Sequence, residues 1–336
     1  MKLLRKILFP FVPVYYVITW LRNKFYDLGW MASKSYDLPI ICVGNLSTGG
    51  TGKTPTIEYL IRLLNDHYNV ATLSRGYKRD TSGFIIADKQ ASARTIGDEP
   101  FQFYKKFDTI VVSVDENRQR GISQLIHLKQ PDVILLDDAF QHRKVKPGYT
   151  ILLTAYDNLY YNDMMLPTGD LREPITGAKR ADNIVVTKCP ESLALSEKNQ
   201  ILKKINPLAH QKVYFSWISY DETIWNNDGC YEFTRLKGKK VSLVTGIANP
   251  EPLVRYLNSK HIDFEHLNYS DHHVFSASEI EVLKQKEVIL TTEKDFMRLQ
   301  DSFEAKSTQL YYLPITFKID NSDEFNAQLL SYIKSV

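Results

Sequence analysis

A glycine-rich segment at residues 46–54 constrains the fold of this chain more than any other part of it. The segment reads LSTGGTGKT and follows an apolar run at 38–43. In such a loop, successive backbone N–H groups face an anion, and the dipole of the following helix adds positive potential. Lys53 can reach the terminal phosphates of a nucleotide, and the Thr54 hydroxyl can hold Mg²⁺. The sequence therefore predicts a strand, a phosphate-binding loop and a helix in that order.

The loop departs from the general pattern G-x-x-x-x-G-K-[ST] at one position, where Ser47 replaces the first glycine. The alternative is an ordinary glycine-rich turn before a helix. The order of strand, loop, Lys-Thr pair and helix favours phosphate binding instead. The residues assigned to nucleotide binding are Ser47, Thr48, Gly49, Gly50, Thr51, Gly52, Lys53 and Thr54.

Length and composition limit the remaining possibilities. A chain of 336 residues is expected to form about two domains. A net charge of +3, with 24% charged and 43% hydrophobic residues, is typical of a globular protein and gives no basic excess for nucleic acid. The three cysteines lack C-x-x-C spacing, so they indicate neither a disulfide framework nor a zinc site, and a reducing cytoplasmic setting fits best. No segment indicates an obligate protein partner.

The N-terminal segment, residues 1–28, has the composition of a membrane-surface element. Residues 7–21 are uncharged and rich in aromatic and aliphatic side chains, and basic residues flank them on both sides. The run contains Pro10 and Pro13 and is shorter than the about 20 residues that a spanning helix needs. Aromatic rings at the interface and cations on anionic lipid would suit a peripheral or monotopic segment. The alternative is a helix packed on the protein's own core.

The middle of the chain, residues 29–212, alternates between strand-like and helical patterns. Apolar strands are predicted at 38–43, 70–73, 109–114, 133–136, 150–153 and 184–187, with helices between them at 54–67, 101–107 and 118–129. This alternation predicts an α/β fold of the P-loop NTPase type, with a mostly parallel sheet and helices on both faces. Ligands in such sheets bind beyond the carboxyl ends of the strands.

The texture of the sequence changes after about residue 212. Residues 213–218 and 231–233 are predicted to pair as a hairpin around the turn at 226–229, which makes 213–235 a hinge. A smaller C-terminal α/β domain is expected at 236–336. It should contain strands at 241–245, 264–269, 288–290 and 310–313 and an amphipathic helix near 327–333.

Two acidic clusters follow predicted strands. Asp137 and Asp138 end an apolar strand, as in a Walker B element that holds Mg²⁺ directly or through water; the alternative is that Asp138 caps a turn. Asp98 and Glu99 precede a predicted helix. On sequence alone they are as compatible with helix N-terminal acids as with catalysts.

Several arginines and two C-terminal motifs have less specific signals. Arg118, Arg120, Arg143 and Arg172 are candidates for neutralising a transferring phosphate, and their positions in the chain do not choose among them. The sequence DHH at 271–273 suits a surface loop, in which an isolated histidine pair is usually only hydrogen-bonded. The sequence TTEKD at 291–295 is interpreted as a helix start capped by Thr292.

Taken together, the motifs resemble one family. The chain resembles the tetraacyldisaccharide 4'-kinase (lipid A 4'-kinase) family from its N-terminal segment nearly to its C-terminus. The motifs that carry the resemblance are VGNLSTGGTGKTP at 43–55, SRGY at 74–77, GDEP at 97–100, DDAFQH at 137–142, LPTGDLRE at 166–173, DH at 271–272 and TEKD at 292–295. The departures are Ala139 and Phe140, where many members carry Gly-Leu, and His273, where the family varies.

The resemblance implies an activity and a location. A member of this family would transfer the γ-phosphate of ATP to the 4'-hydroxyl of a tetraacylated glucosamine disaccharide 1-phosphate, the lipid A disaccharide precursor, on the cytoplasmic face of an inner membrane. By the family pattern, Asp98 would accept the proton of the sugar hydroxyl, with His272 from the second domain as its partner. Closure of the hinge would then assemble the site.

The resemblance also implies roles for the other candidates. Thr54 and Glu99 would serve Mg²⁺, with help from Asp137 or Asp138. Charge on the phosphates would be offset by Lys53, by Arg118 or Arg120, and by Arg172. The residues assigned to the disaccharide are Asn45, Tyr77, Gln141 and Arg172.

Two other classes of function stay open. The first is a membrane-associated P-loop switch ATPase of the deviant Walker kind, which normally has an extra lysine where this chain has Thr48. The second is a nucleotide-binding interaction protein without a phosphoryl acceptor. Failure of every plausible acceptor would favour the second class.

Overall fold

The computed structural model describes residues 5–271, 273–303 and 310–336. The chain divides into two compact units, the first formed by Met1–Ile218 with Phe317–Val336 and the second by Ser219–Thr316. These units differ from the boundaries expected from sequence, because the second unit begins at Ser219 and the last twenty residues return to the first. Sequence patterning gave no indication of that return.

The N-terminal segment is helical. A 3₁₀ helix, Lys6–Phe11, leads into α1, Val12–Asp27, and Pro13 lies in the first turn of α1, where its missing N–H group has no helical partner to lose. All residues of α1 are described, and Tyr26 alone among them is buried. Across residues 5–271, 273–303 and 310–336, we find no helix with the length and hydropathy needed to cross a bilayer.

The first unit continues as alternating strands and helices. In order, its further elements up to the second unit are β1 (Ile40–Asn45), α2 (Lys53–Leu64), β2 (Val70–Ser74), β3 (Ile85–Ile86), α3 (Ala93–Ile96), α4 (Asp98–Lys106), β4 (Val111–Val114), α5 (Arg118–Lys129), β5 (Val133–Asp137), β6 (Tyr149–Ala155), β7 (Asn183–Thr187), α6 (Leu195–Ile205) and β8 (Lys212–Tyr220). Short 3₁₀ helices at Tyr160–Asn162 and Ile175–Arg180 interrupt the segment between β6 and β7.

The second unit and the returning segment complete the list of elements. They are β9 (Thr223–Asn226), β10 (Gly229–Glu232), β11 (Val241–Thr245), α7 (Glu251–Ser259), β12 (Phe264–Asn268), α8 (Ala277–Lys284), β13 (Val288–Thr292), α9 (Glu293–Leu299), β14 (Leu310–Leu313), β15 (Ile315–Ile319) and α10 (Ser322–Ser335). Two 3₁₀ helices, Phe233–Leu236 and Gln300–Ser302, lie among them.

The large sheet has nine strands in the order β15-β8-β7-β6-β1-β5-β2-β4-β3. The strands from β8 to β4 pair in parallel, and β3 runs antiparallel to β4. All six residues of β1 are buried, which explains why the strand has a continuous apolar run rather than alternation. The prediction of a mostly parallel α/β sheet is confirmed.

Helix packing against this sheet follows the apolar periodicity of the sequence. On α2, Ile57, Leu60, Ile61 and Leu64 are all buried. The helix ends at Leu64 rather than at the expected residue 67. Helix α5 has the predicted bounds, and its Ile122 and Leu125 join strand residues in one hydrophobic core.

The returning segment is tied to the first unit at several points. Phe325 of α10 is fully buried, and its ring packs edge-on against Tyr214 at a centroid distance of 5.1 Å. Tyr332 accepts a hydrogen bond of 3.1 Å from the backbone N–H of Ile40 at the start of β1. Lys198 of α6 forms an ion pair of 2.7 Å with Asp320. The C-terminal helix was predicted near 327–333 and is longer in the structure, Ser322–Ser335.

The second unit has a six-stranded sheet in the order β10-β9-β14-β13-β11-β12. Strands β14, β13, β11 and β12 are parallel, and β9 and β10 form an antiparallel hairpin. The turn of that hairpin lies at 226–229, where the sequence predicted it. It is held by the side-chain oxygen of Asn226, which accepts from the N–H groups of Asp228 at 2.8 Å and Gly229 at 3.2 Å.

The predicted partner of that hairpin was wrong. The strand at 213–218 does not pair with 231–233; it belongs to β8, which pairs in parallel with β7 in the large sheet. Tyr231 lies opposite Ile224 instead. Tyr214 and Phe215 of β8 are buried, so tertiary packing determines the partner of this apolar run rather than the nearby turn.

Candidate active site

The phosphate-binding loop lies at the carboxyl end of β1, in the middle of the large sheet. Gly49 and Gly52 adopt φ angles of +104° and +84°, which are left-handed conformations that favour glycine. Before the loop, a Cβ on Gly44 would lie 2.6 Å from the Cβ of Phe140. Glycine is therefore required there for β1 to approach the segment that follows β5.

The loop is held from one side by residues 170–172. The N–H of Thr48 donates to the carbonyl oxygen of Asp170 at 2.7 Å, and the N–H of Arg172 donates to that of Leu46 at 2.8 Å. Arg5 forms an ion pair of 2.8 Å with the Asp170 carboxylate. Sequence reasoning gave Asp170 no role, and its place in the LPTGDLRE motif was the available signal.

Two predicted site residues, Lys53 and Arg172, meet at a third, Asp138. Arg172 places Nη2 2.9 Å from Oδ1 and Nη1 3.4 Å from Oδ2 of Asp138, and Lys53 Nζ lies 3.8 Å from Oδ1. The Arg172 guanidinium also donates to the backbone oxygen of Asn45 at 3.0 Å and to its side-chain oxygen. Burial alone would raise the pKa of Asp138, but the charges of Lys53 and Arg172 outweigh it and hold that pKa below its ordinary value. Asp138 is therefore ionised at neutral pH.

Asp137 has a different environment from its neighbour. Its Oδ2 accepts a hydrogen bond of 3.2 Å from the Ser74 hydroxyl, whereas its buried Oδ1 has no hydrogen-bond partner. Burial, and then the negative charges of Asp138 and Glu99, raise the pKa of Asp137 to about 6. A cation beside Oδ1 would satisfy this oxygen and remove the cost of ionising it.

The oxygen donors at this edge of the sheet fit Mg²⁺. The predicted metal residues are Thr54, Glu99, Asp137 and Asp138, all of which offer the hard oxygen ligands that Mg²⁺ prefers. Within the described part of the chain, no group of three or more His, Cys, Asp or Glu residues is arranged so that it could hold a metal ion. A Mg²⁺ ion usually keeps several waters and binds substrate phosphates, so it takes only one or two carboxylates from a protein.

The two arginines of α5 have separate surroundings. Arg118 is buried and donates to the backbone oxygens of Asp115 and of Asp137, the latter at 3.1 Å, and burial lowers its pKa to about 10. Arg120 is half exposed and binds the Asp115 carboxylate through Nε at 2.9 Å and Nη2 at 2.7 Å. The structure thus places Arg118 against the carboxyl end of β5 and Arg120 on Asp115.

Asn45 and Gln141 lie together beside the loop. Gln141 Nε2 donates to the backbone oxygen of Asn45 at 2.8 Å and to Glu173 at 3.0 Å. Glu173 is buried and also accepts from Asn23 of α1 at 2.7 Å and from Arg180 at 2.9 Å. Asn45 Nδ2 and Gln141 Oε1 are buried without hydrogen-bond partners, so a polar ligand could satisfy both.

Asp98 and Glu99 occupy the first turn of α4. The preceding Gly97 has a φ of +93°, and a Cβ on it would lie 3.3 Å from Gly76 Cα and from the Tyr77 carbonyl oxygen. The structure therefore brings Tyr77, whose side chain is exposed, next to the start of α4. His272 lies outside the described residues.

His142 received no role in the sequence analysis and lies within the electrostatic reach of Arg118 and Asp138. It follows the Asp137–Asp138 pair in the DDAFQH motif and is half-buried. Burial, and then the positive charges of Arg118 and Arg75, lower its pKa to about 4. His142 is therefore neutral at physiological pH and can both donate and accept a hydrogen bond.

Comparison with known proteins identifies the family. The model of the family described as tetraacyldisaccharide-1-P 4'-kinase matches residues 4–334. The chain belongs to this family. The tetraacyldisaccharide 4'-kinase of Flavobacterium johnsoniae is 51% identical over 99% of this chain and 98% of its own length, and that of Bacteroides thetaiotaomicron is 42% identical over 98% and 94%.

A solved structure supports the same assignment. LpxK from Aquifex aeolicus, crystallised in complex with ATP, matches with a TM-score of 0.80 and 29% identity over 98% of this chain and 99% of that one. The fold class predicted from the sequence and the resemblance to the tetraacyldisaccharide 4'-kinase family are both confirmed.

Proposed function

We propose that this tetraacyldisaccharide 4'-kinase carries out its reaction at the edge of the large sheet where Lys53 and Arg172 meet at Asp138. The activity follows from family membership: the chain is an ATP-dependent kinase that phosphorylates the 4'-hydroxyl of tetraacyldisaccharide 1-phosphate in lipid A biosynthesis. The convergence of two cations on one ionised carboxylate beside the phosphate loop is the observation that carries the proposal.

The nucleotide and metal would be held by the loop and the ends of β1 and β5. Backbone N–H groups of residues 47–54 would bind the phosphates, with Lys53 at their terminal end. Thr54, Asp137, Asp138 and Glu99 are proposed for Mg²⁺, and the orphaned Oδ1 of Asp137 supports this assignment. When bound, Mg²⁺ neutralises charge on the phosphates and ATP supplies the phosphoryl group.

Positioned cations are the main requirement of the reaction. Phosphoryl transfer passes through a loose transition state, so catalysis depends mostly on orientation and on charge stabilisation. Arg172 is held from both sides, by Asp138 and by Asn45, which fixes its guanidinium without consuming all of its donors. Either Arg118 or Arg120 would add positive charge, and the buried location of Arg118 next to Asp137 favours Arg118.

Asp98 is proposed as the base that accepts the proton of the 4'-hydroxyl, with His272 as its partner. A carboxylate in the first turn of α4 is stabilised in its ionised form by the helix dipole. An ionised carboxylate is ready to accept a proton from an alcohol as the new bond to phosphorus forms.

The disaccharide would be bound by Asn45, Tyr77, Gln141 and Arg172. Sugar hydroxyls both donate and accept hydrogen bonds. The unpartnered Asn45 Nδ2 and Gln141 Oε1 supply one donor and one acceptor of the kind they need. The backbone of Tyr77 lies beside the start of α4, and its ring is exposed, so a sugar face could pack against it.

The N-terminal segment is proposed to lie on the anionic cytoplasmic face of the inner membrane. Ile7 and Ile18 are 71% and 60% exposed, and large apolar side chains between them are exposed as well. Such a surface suits the headgroup region, and it would confine the enzyme to the plane that contains the acyl chains of its substrate. The proposal includes neither a nucleic-acid partner nor an obligate protein partner.

A labelled-phosphate assay tests the proposed function. Purified protein is incubated with γ-labelled ATP, Mg²⁺ and detergent-dispersed tetraacyldisaccharide 1-phosphate, and the lipids are separated by thin-layer chromatography. We expect labelled bisphosphorylated lipid that is lost in Lys53→Ala. ATP hydrolysis without labelled lipid, rising on empty liposomes, would support the membrane-associated switch ATPase instead.

A further inference from the structure

Lys188 lies beside the phosphate-binding loop and has no role in the function derived so far. It directly follows β7, and its side chain is exposed while both of its neighbours, Thr187 and Cys189, are buried. Its Nζ lies 3.7 Å from the position that a Cβ on Gly50 would occupy. A positive charge thus lies at the middle of the loop, away from Lys53 in sequence.

The end of β7 packs along the phosphate-binding loop. The Thr187 hydroxyl donates to the carbonyl oxygen of Thr51 at 2.8 Å, and a Cβ on Gly52 would lie 3.5 Å from Thr187 Cβ. Lys188 then reaches Gly50. Thr187, the last residue of β7, and Lys188, which follows it, therefore lie beside three consecutive loop residues, Gly50 to Gly52.

The backbone on both sides of Lys188 is fixed. The carbonyl oxygen of Thr187 accepts from Tyr156 at 2.9 Å, and the N–H of Cys189 donates to Ser216 at 2.9 Å. Between them, Lys188 has a φ of +58°, in the left-handed region that lysine rarely adopts. Strained backbone of this kind persists where the surroundings impose it, and it clusters at ligand-binding positions. The neighbouring strands therefore fix the backbone from which the Lys188 side chain extends towards the loop.

We infer that Lys188 is a second nucleotide-binding cation, which contacts the ribose and α-phosphate end of ATP. In a phosphate-binding loop the lysine before the Ser/Thr serves the β- and γ-phosphates, and the backbone in the middle of the loop serves the α- and β-phosphates. Lys53 supplies the first of these groups, and Lys188 lies at Gly50, on the part of the loop that serves the second. This inference rests on the proposed binding of ATP by the loop.

Such a contact predicts a specific pattern of affinities. ATP and ADP share the ribose and the α-phosphate, so loss of the Lys188 charge should weaken both by the same factor, about tenfold for one charge-assisted hydrogen bond. Inorganic pyrophosphate fills the phosphate cradle without a sugar or an α-phosphate, and its affinity should be unchanged. The KM for ATP should rise about tenfold with little change in kcat, because the contact is equal in ground and transition states.

The test measures dissociation constants of ATP, ADP and pyrophosphate by competition against a fluorescent nucleotide, for the full chain with Mg²⁺. The variants are Lys188→Met, which keeps the apolar stem and removes the charge, and Lys188→Arg, which should restore affinity. Lys203→Met is the matched control, because Lys203 is an exposed lysine of α6 in the same unit. Its three dissociation constants should equal those of the unaltered chain.

Each outcome decides the inference. Equal losses for ATP and ADP with unchanged pyrophosphate binding support a direct contact. Equal losses for all three ligands would mean that Lys188 only braces the loop, and no loss for any of them would mean that it does neither; both results overturn the inference. If the unaltered chain itself fails to bind ATP, the proposed function fails, and that result is distinct from a Lys188→Met variant that binds as well as the unaltered chain.

Discussion

Arg172 and Asp138 form a forked ion pair in which two guanidinium nitrogens face the two carboxylate oxygens, at 2.9 Å and 3.4 Å. The planar guanidinium suits this arrangement, and an ammonium group does not. Since Lys53 lies 3.8 Å from the same carboxylate, Asp138 orients both cations that are proposed to act on the phosphates. The position of Asp138 therefore determines where the positive charges of Lys53 and Arg172 lie relative to the substrate phosphates.

Replacing Arg172 with lysine should therefore lower kcat while the fold stays intact. We expect a fall of about 10- to 100-fold, the size of effect associated with losing one hydrogen bond to a charged group. Steady-state kinetics and a thermal melt would measure it. Arg62→Lys is the control and should leave kcat unchanged, since the half-exposed Arg62 pairs with the buried Glu58 and has no proposed part in the reaction. Wild-type turnover in Arg172→Lys would show that the fork has no catalytic role.

Removing the proposed base should separate chemistry from nucleotide binding. Asp98→Ala is expected to lower kcat by about 10²- to 10⁴-fold, the usual contribution of general-base catalysis. The dissociation constant of ATP should change little. Asp66→Ala, at an exposed position just after α2, is the control. If Asp98→Ala turned over at a near wild-type rate, another group would have to accept the proton.

His272 is expected to act through Asp98. His272→Ala should lower turnover and flatten or shift the acidic limb of the pH–rate profile, because an imidazole is the group that titrates in this range. In the double variant with Asp98→Ala, the two effects should be far from additive. A variant that loses only thermal stability would make His272 a structural residue.

His142 should make stability depend on pH. Burial and two arginines lower its pKa from 6.5 to about 4, so between these pH values the unfolded chain binds a proton that the folded chain does not. The stabilisation is present above pH 6.5 and is lost as the pH falls towards 4. As the pH falls over this interval, the free energy of unfolding should decrease by about 2 kcal/mol less in His142→Gln than in the unaltered chain.

Denaturant unfolding at pH 7 and at pH 4.5 measures the effect of His142. Carboxylates titrate in both proteins, so their contribution to the pH dependence of stability cancels when the two proteins are compared. A control is His210→Gln, at an exposed position in the same unit. Equal pH dependence in the unaltered chain and in His142→Gln would contradict the depressed pKa.

The exposed apolar side chains of the N-terminal segment should bind membranes. Deleting residues 1–28 would also remove contacts of Arg5, Arg22 and Asn23 with the first unit, so substitutions are the sharper test. Ile7→Glu with Ile18→Glu should weaken sedimentation with anionic vesicles at least tenfold, by opposing both burial and charge attraction. Leu195→Glu, at another exposed apolar position, is the control and should bind normally. Unchanged binding of the double variant would remove the segment from the membrane-binding role.

Sequence patterns predicted the central sheet well for a physical reason. A strand that is buried on both faces reads as an unbroken apolar run, and β1, β2, β5, β6 and β7 are buried along their whole length. The bounds of α5 could likewise be read from the sequence, because Asn117 caps its first turn and the apolar periodicity ends at Lys129. Local signals were sufficient there.

Other features depend on contacts between distant parts of the chain. The partner of β8 could not be predicted, because pairing with β7 and β15 is decided by the large sheet and not by the turn at 226–229. Asn45, Asp138 and Arg172 come from three separate motifs, and their separation in sequence does not indicate how close they lie in space. Sequence reasoning named these residues as separate candidates, and only the structure shows that they share one cluster.

The return of β15 and α10 to the first unit has a consequence for the order of folding. The N–H of Ile40, at the start of the strand that leads into the phosphate loop, bonds to Tyr332 across an interval of 292 residues. Closing so long a loop is slow, and it can happen only after that helix has been synthesised. All strands of the second unit lie within that interval, so the second unit can form its hydrophobic core first. On the ribosome, the first unit, which contains the phosphate loop, should therefore be the last to become protease-resistant.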